Sequence, residues 1–196
     1  MGEAVDGRRA RGERRRAELV AATLRVVARD GAAKVTHRAV AKEACAPPSS
    51  AVYYFATLDD LLVAALTEAT EDYVRRLREA LHGGAEPVAA LGGVLADGCR
   101  PGGGRERVLA EFELSLLAAR RPSLRPVVRR WNDLVADVAR RYTADPVAVR
   151  AAVAAANGLS MEAVLAEEGV SEKEMTAVLR HVLGTGAPAA EAPDAD

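Results

Sequence analysis

Aromatic side chains are scarce in this chain, 4% of 196 residues, and cysteine is scarcer, with two. Cys45 and Cys99 have no metal-ligand spacing, so neither a disulfide framework nor a thiolate metal site is expected. The three histidines, His37, His82 and His181, are scattered and supply no metal set and no nucleophile–base pair. Glu111 and Glu113 are the nearest approach to paired carboxylates, yet residues two apart on a helix face different sides. The glycine-rich stretch DGCRPGGG from Asp97 lacks the Lys-Ser/Thr ending of a phosphate loop. These absences argue against an enzyme and against any cofactor or metal. No apolar run approaches the length that spans a bilayer, and no signal-peptide core follows the N-terminal arginines. A soluble, cytoplasmic protein with no membrane partner is the expectation.

What the chain does contain is alanine, valine, leucine and arginine, 49% hydrophobic overall, a composition that predicts an all-α fold. Its length suffices for one large or two small cores. The net charge of −1 hides an asymmetry. Residues 1–57 hold 11 lysines and arginines against 6 acids, a surplus of +5, while the remainder stands at −6. Phosphate binding needs such a local surplus whatever the total.

That basic segment holds the most informative stretch, THRAVAKEACAPPSSAVYYF from Thr36 to Phe55. Thr36 fits an N-cap, and Val40, Ala41 and Ala44 follow at helical spacing. Ala46 precedes Pro47, so the helix should stop near Cys45. Pro47 or Pro48 then opens a second short helix, with Ser49, Ser50 and Tyr53 on one side and Val52 and Phe55 turned to the other. Helix, short turn, short helix is the helix-turn-helix plan, whose second helix enters a DNA major groove. Ahead of it, residues 13–30 form a helix with Leu19, Thr23, Val26 and Val27 inward, ended by Asp30-Gly31. The run RRARGERRR from Arg8 to Arg16 reads as the end of a flexible basic arm (residues 1–12) that reaches phosphates or the minor groove, followed by Arg14 and Arg15 on the helix. Thr57-Leu-Asp-Asp is a capping box for a long helix to about Leu81, and Glu86-Pro87, Asp145-Pro146 and Ser171-Glu-Lys-Glu open later ones. About nine helices result.

The amphipathic helix ending in Asp-Gly, then VTHRAVAKEACAPPSSAVYYF, then LDDLLVAAL, resembles the DNA-binding headpiece of tetracycline-repressor (TetR) family regulators over residues 14–66. The resemblance implies a three-helix headpiece over 13–57 and a helical ligand-binding and dimerisation domain over 58–184, with a disordered tail over 185–196. It implies a homodimeric repressor that binds double-stranded DNA at a palindromic operator and leaves it when a small molecule binds. Carried over position by position, Thr36, His37, Lys42, Pro48, Ser49, Ser50, Tyr53 and Tyr54 are the DNA-contacting candidates, with Arg14 and Arg15. Two departures stand out: Cys45 replaces a glycine usual at a helix end, and Leu58 replaces a phosphate-contacting lysine.

The family position of the ligand, between the middle helices, points to Phe112, Leu116, Trp131, Val135, Asn157 and Met161. Asn157 lies in the apolar run VRAAVAAANGLSMEAVL, and a buried amide there needs a polar partner. The helices at 146–168 and 172–183 are the expected dimer-forming pair. Two other readings compete: a regulator responding to oxidation at Cys45, and a helical interaction module using its arginines on acidic partners or on DNA without sequence preference.

Overall fold

The computed structural model describes residues 2–100, 104–166 and 169–185, and among them the chain is all-helical, with nine α-helices and no strand. The first is α1 (Gly2–Asp30). A 3-10 turn over Ala32–Lys34 leads to α2 (His37–Glu43) and α3 (Pro48–Tyr54). The expected break between a flexible arm and the first helix is absent: α1 runs unbroken for 29 residues. Arginine, alanine and glutamate are good helix formers, and Arg9–Glu13 (3.0 Å) and Arg15–Glu18 (2.8 Å) pair across successive turns, so the helical pattern continues outward through the basic run.

Local chemistry accounts for the helix-turn-helix. Thr36 Oγ1 accepts from Ala39 N at 3.0 Å and starts α2. The end of α2 is a Schellman motif: Ala46 N bonds Ala41 O (2.9 Å), and Cys45 N bonds Lys42 O (3.1 Å). That closure places Cys45 at φ 49°, in the region that favours glycine. Pro48 then occupies the first turn of α3. Arg25 and Arg29 of α1 both bond Glu43 (2.8 and 2.7 Å), holding α2 against the first helix.

The body begins with α4 (Leu58–His82), opened by the expected capping box, Asp60 N to Thr57 Oγ1 at 3.1 Å and Thr57 N to Asp60 Oδ2 at 3.0 Å. It continues through α5 (Pro87–Gly98), α6 (Gly104–Leu117), α7 (Arg125–Ala139), α8 (Pro146–Leu165) and α9 (Glu172–Val182). Glu86 caps α5 by accepting from Val88 N and Ala89 N, and also binds Tyr142 and Arg180, joining three helix ends. Burial alone would raise its carboxyl, but these donors outweigh burial and hold it down at about 2. Helices α5 and α9 pack closest at Gly92, where a Cβ would lie 3.2 Å from Thr176 N. Only glycine admits that approach.

Two apolar clusters result. One joins α1–α3 to the first half of α4 and to Ala110, Leu114, Leu124 and Val127. The other joins the second half of α4 to α5 and α7–α9. The headpiece therefore shares its core with α4 and α6, and the expected boundary at residue 57 divides chain segments without dividing the packing.

Helix α8 is 20 residues long and apolar, with a mean hydropathy of 1.2. The reason lies in its two faces. Ala152, Ala156, Ser160 and Ala163 pack into the core, while Val147, Ala151, Ala154, Gly158 and Leu165 form an exposed stripe of small apolar residues at helical spacing. The tail beyond Thr185 lies outside the described residues.

Left-handed backbone at a non-glycine residue costs about 1–2 kcal/mol, offset by the larger unfolded-state entropy of glycine, about 0.5–1 kcal/mol. Cys45→Gly should therefore stabilise the protein by about 0.5–1 kcal/mol, raising Tm by about 1–4 °C. Thermal unfolding followed by circular dichroism measures this, and an unchanged or lower Tm contradicts it.

Candidate nucleic-acid interface and ligand cavity

Helix α3 presents its outer face beside the extension of α1. Arg9, Arg11, Gly12, Arg14, Arg15, Ser49, Ser50, Tyr53 and Tyr54 line one open groove. Tyr53 is 82% exposed and meets Tyr54 edge-on with ring centroids 5.0 Å apart. Arg14, Thr36, Lys42, Pro48 and Ser49 are exposed and Arg15 and Ser50 half-exposed; of these, Arg14, Arg15, Ser49 and Ser50 line the groove, and Thr36, Lys42 and Pro48 do not. His37 differs. Its Nε2 donates to Phe55 O at 2.9 Å, which fixes the end of α3 against the start of α2 and commits the ring to structure. Val52 was expected to turn inward with Phe55, but it is 55% exposed. Phe55 is buried and covered by the Arg16 guanidinium, 5.0 Å from its centroid. A short helix has room for one inward stripe, and Ala51 and Phe55 fill it.

Between the two apolar clusters lies a small cavity of about 60 Å³. It is lined by Leu66, Thr70 and Tyr73 of α4, Leu95 of α5, Val108, Glu111, Phe112 and Ser115 of α6, Val128 and Trp131 of α7, and Asn157 and Ser160 of α8. Three sequence candidates meet there. Trp131 Nε1 donates to Asn157 Oδ1 at 2.9 Å, Asn157 Nδ2 reaches Asn132 Oδ1 at 3.3 Å, and Phe112 completes the wall. Tyr73 and Trp131 rings lie 5.1 Å apart.

Three candidates fall elsewhere. Leu116 is 72% exposed, Val135 is packed wholly within the second cluster, and Met161 lies outside the lining. The expected stripe of α6 (Leu109, Phe112, Leu116, Leu117) is out of register, because Val108, Ala110 and Leu114 are the buried positions and Leu109 is 38% exposed.

The residue that sequence reasoning missed is Glu111. Its carboxylate faces the cavity, and burial pushes it up to about 7 against the opposing Arg107 guanidinium. The available signal was its place at i+3 from Val108 and i−4 from Ser115, an acid on the inward stripe. Burial likewise holds the Tyr73 phenol well above its ordinary range and lifts the Cys99 thiol to about 11. Cys99 donates to Ser160 O at 3.8 Å and stays buried and protonated, a poor reductant.

Glu113, two residues on, faces the other way. It accepts from Ala32 N at 2.7 Å and lies under Gly31 (φ 86°), at the joint between α1 and α2. One helix thus carries one carboxylate into the cavity and a second to the headpiece. Glu113→Ala leaves a half-buried amide unpaired and should lower stability by about 1–2 kcal/mol. Faster hydrogen exchange at residues 31–36 than elsewhere in the headpiece would report the loss; uniform exchange would contradict it.

Comparison with known proteins agrees with this arrangement. Residues 82–185 match the family described as tetracyclin repressor-like, C-terminal domain. The HTH-type nicotine-responsive transcriptional repressor HdnoR of Paenarthrobacter nicotinovorans is 31% identical over 110 residues, 55% of this chain. The match spans 56% of that relative's length. Among solved structures, the multidrug binding protein EbrR complexed with ethidium is 38% identical, with 86% of this chain and 97% of that chain covered and a TM-score of 0.68. The same protein has been solved with malachite green and with proflavin, at 35% and 38% identity. A TetR-family member from Streptomyces coelicolor A3, SCO1917, is 39% identical over 86% of this chain and 97% of that one, with a TM-score of 0.74.

Proposed function

The chain belongs to the tetracycline-repressor family of ligand-modulated, DNA-binding transcriptional regulators, and from that premise we propose a homodimeric repressor released from a palindromic operator by an aromatic cation. The observation that carries the ligand class is Glu111, an acid held in a cavity otherwise walled by Tyr73, Phe112 and Trp131. Aromatic faces and one carboxylate form a receptor for a flat ring system bearing positive charge. The complexes of EbrR with ethidium, malachite green and proflavin support the same class. At about 60 Å³ the cavity holds water only, so a ligand of this size has to part α4, α6 and α7 as it binds.

On the DNA side, Ser49, Ser50 and Tyr53 of α3 enter the major groove, and Arg11, Arg14 and Arg15 on the helical extension of α1 lie along the flanking phosphates. Arginine from a continuous helix adds salt-dependent affinity, while hydroxyls and a tyrosine ring supply modest base readout. The exposed small-residue stripe of α8, together with Ala177 and Val178 of α9, is the self-complementary face through which two copies pair. The pairing sets the spacing of the two α3 helices on successive half-sites.

The testing experiment selects bound fragments from random duplex DNA and footprints the winners with three proteins. The native chain should protect a palindrome. Tyr53→Ala should weaken it about tenfold, as the loss of about 1–3 kcal/mol per recognition contact implies. Ala154→Arg should yield a monomer by light scattering that protects nothing. A non-palindromic, salt-labile footprint, or full protection by Ala154→Arg, would overturn the reading.

Ligand binding has a definite pH dependence. The cation requires ionised Glu111, whose carboxyl sits at about 7, so ethidium affinity should fall by up to about tenfold per pH unit below that value and level off above it. The groups facing Glu111 are Asp72, Tyr73 and Arg76 from α4, Cys99 after α5 and Arg107 from α6. Tyr73 and Cys99 are both shifted upward, away from this window. Fluorescence titrations from pH 5.5 to 8.5 read the effect, and Glu111→Gln should flatten and weaken it. A flat profile in the native protein means that another group meets the ligand.

A further inference from the structure

Glu111 has a second neighbour whose position ties the cavity to the helix that bears the headpiece. Arg107, one turn earlier on α6, donates from Nε to Glu111 Oε1 at 3.2 Å. Its Nη2 donates to two carbonyls of α4, Glu68 O (3.3 Å) and Ala69 O (3.1 Å), and its Nη1 lies 3.4 Å from Asp72. One guanidinium thus spans the cavity carboxylate and the middle of α4. Asp72 is shared in turn with Arg75 and Arg76. Arg76 Nε lies 3.1 Å from Asp72 Oδ2, and its guanidinium stacks over Tyr73, 4.9 Å from the ring centroid. In the closed cavity, therefore, Arg107 is the cation that Glu111 faces.

We propose that Arg107 is an internal stand-in for the ligand: an incoming cation takes Glu111 from Arg107, and the loss of that anchor loosens the Arg107 grip on the α4 carbonyls and frees α4 to tilt the headpiece. This rests on the ligand-cavity reading above and adds to it how occupancy is converted into release. The chemistry is an exchange of charge partners by the ionised carboxylate, with no covalent bond broken; below the pH window given above, the carboxyl must first give up its proton. Charge-assisted hydrogen bonds from a fork-shaped donor are directional, so removing one carboxylate changes where the other two arms can sit. The grip is placed to matter. Glu68 and Ala69 lie three turns from the start of α4, whose first residues share the headpiece core. At that start, Asp59 is held by Arg121 and by Ser123 Oγ (2.9 Å), giving α4 a fixed pivot at one end and the Arg107 clamp further along. The exchange also makes Arg107 a competitor for the ligand site, so the native affinity for a cation is lower than the bare cavity would give.

A double-mutant cycle on the full-length dimer tests this, read as operator affinity without any ligand and then as ethidium affinity on and off the operator. Glu111→Gln copies the neutralisation that a ligand causes, and Arg107→Gln removes the clamp. Each should weaken operator binding about tenfold, and the double variant should be no weaker than either single one, since both break the same link. Arg107→Gln should bind ethidium several-fold more tightly than the native protein while ethidium no longer changes its operator affinity. Arg107→Lys, which keeps the charge and the packing but shortens the reach, should lie between the two and guards against a variant that does not fold. Additive effects in the cycle, native operator affinity in both single variants, or an Arg107→Gln protein that retains the native coupling between ethidium and operator would overturn the clamp. Failure of ethidium to bind the native protein is a different result: it removes the ligand class proposed above, while the ligand-free cycle still decides the clamp.

Discussion

A headpiece of three helices, two of them only seven residues long, cannot close a core by itself, and the structure here follows from that shortage. Surface outweighs volume in a unit of about fifty residues. Leu61, Leu62, Ala65 and Leu66 of α4 and Ala110 and Leu114 of α6 complete the apolar cluster around Leu19, Val27, Val40 and Phe55. The headpiece is consequently packed onto the same two helices that wall the cavity. A change in the angle between α4 and α6 is felt by both, with no separate linkage required. The polar contacts repeat the arrangement: Glu113 holds the α1–α2 joint, and Arg121 and Ser123 hold the first turn of α4.

The cavity occupies the seam where the two clusters fail to merge. Its lining is drawn from five helices, and the groups in it are unlike those of either core: one carboxylate, one phenol, an indole donating to an amide, and three hydroxyls. Keeping Glu111 there is unfavourable, as the upward displacement of its carboxyl records, and Arg107 relieves only part of the burial. A buried acid that lowers stability, set among aromatic walls, is a feature better explained by what it binds than by what it stabilises.

Much of the secondary structure was legible because helix ends have strong local chemistry. Thr36, Thr57, Glu86, Asp145 and Ser171 each accept backbone N–H groups at the expected starts. Pro48, Pro87 and Pro146 occupy first turns as expected. Cys45 adopts the positive φ that its place after α2 requires. The exposure of Ser49 and Tyr53 on α3 was legible in the same way, whereas Val52, expected inward, is exposed. The His37 hydrogen bond was not legible, because its partner Phe55 O is a backbone atom 18 residues away that no side-chain pattern reports.

By itself, then, the sequence determined where the capped helices from α2 onward begin, that the fold is all-α, that the basic surplus accompanies the helix-turn-helix, and which family the headpiece resembles. These depend on interactions within four or five residues, which the order of amino acids specifies directly. Tertiary structure alone decided the register of α6, and with it that Glu111 faces the cavity, Glu113 the headpiece, and Leu116 the solvent. An Ala- and Leu-rich helix has apolar residues on several sides, so its own periodicity cannot choose a face. The choice is made by the close packing of α1, α4, α5 and α8 around it, which admits one rotation of the helix and leaves the rest of its apolar surface outside.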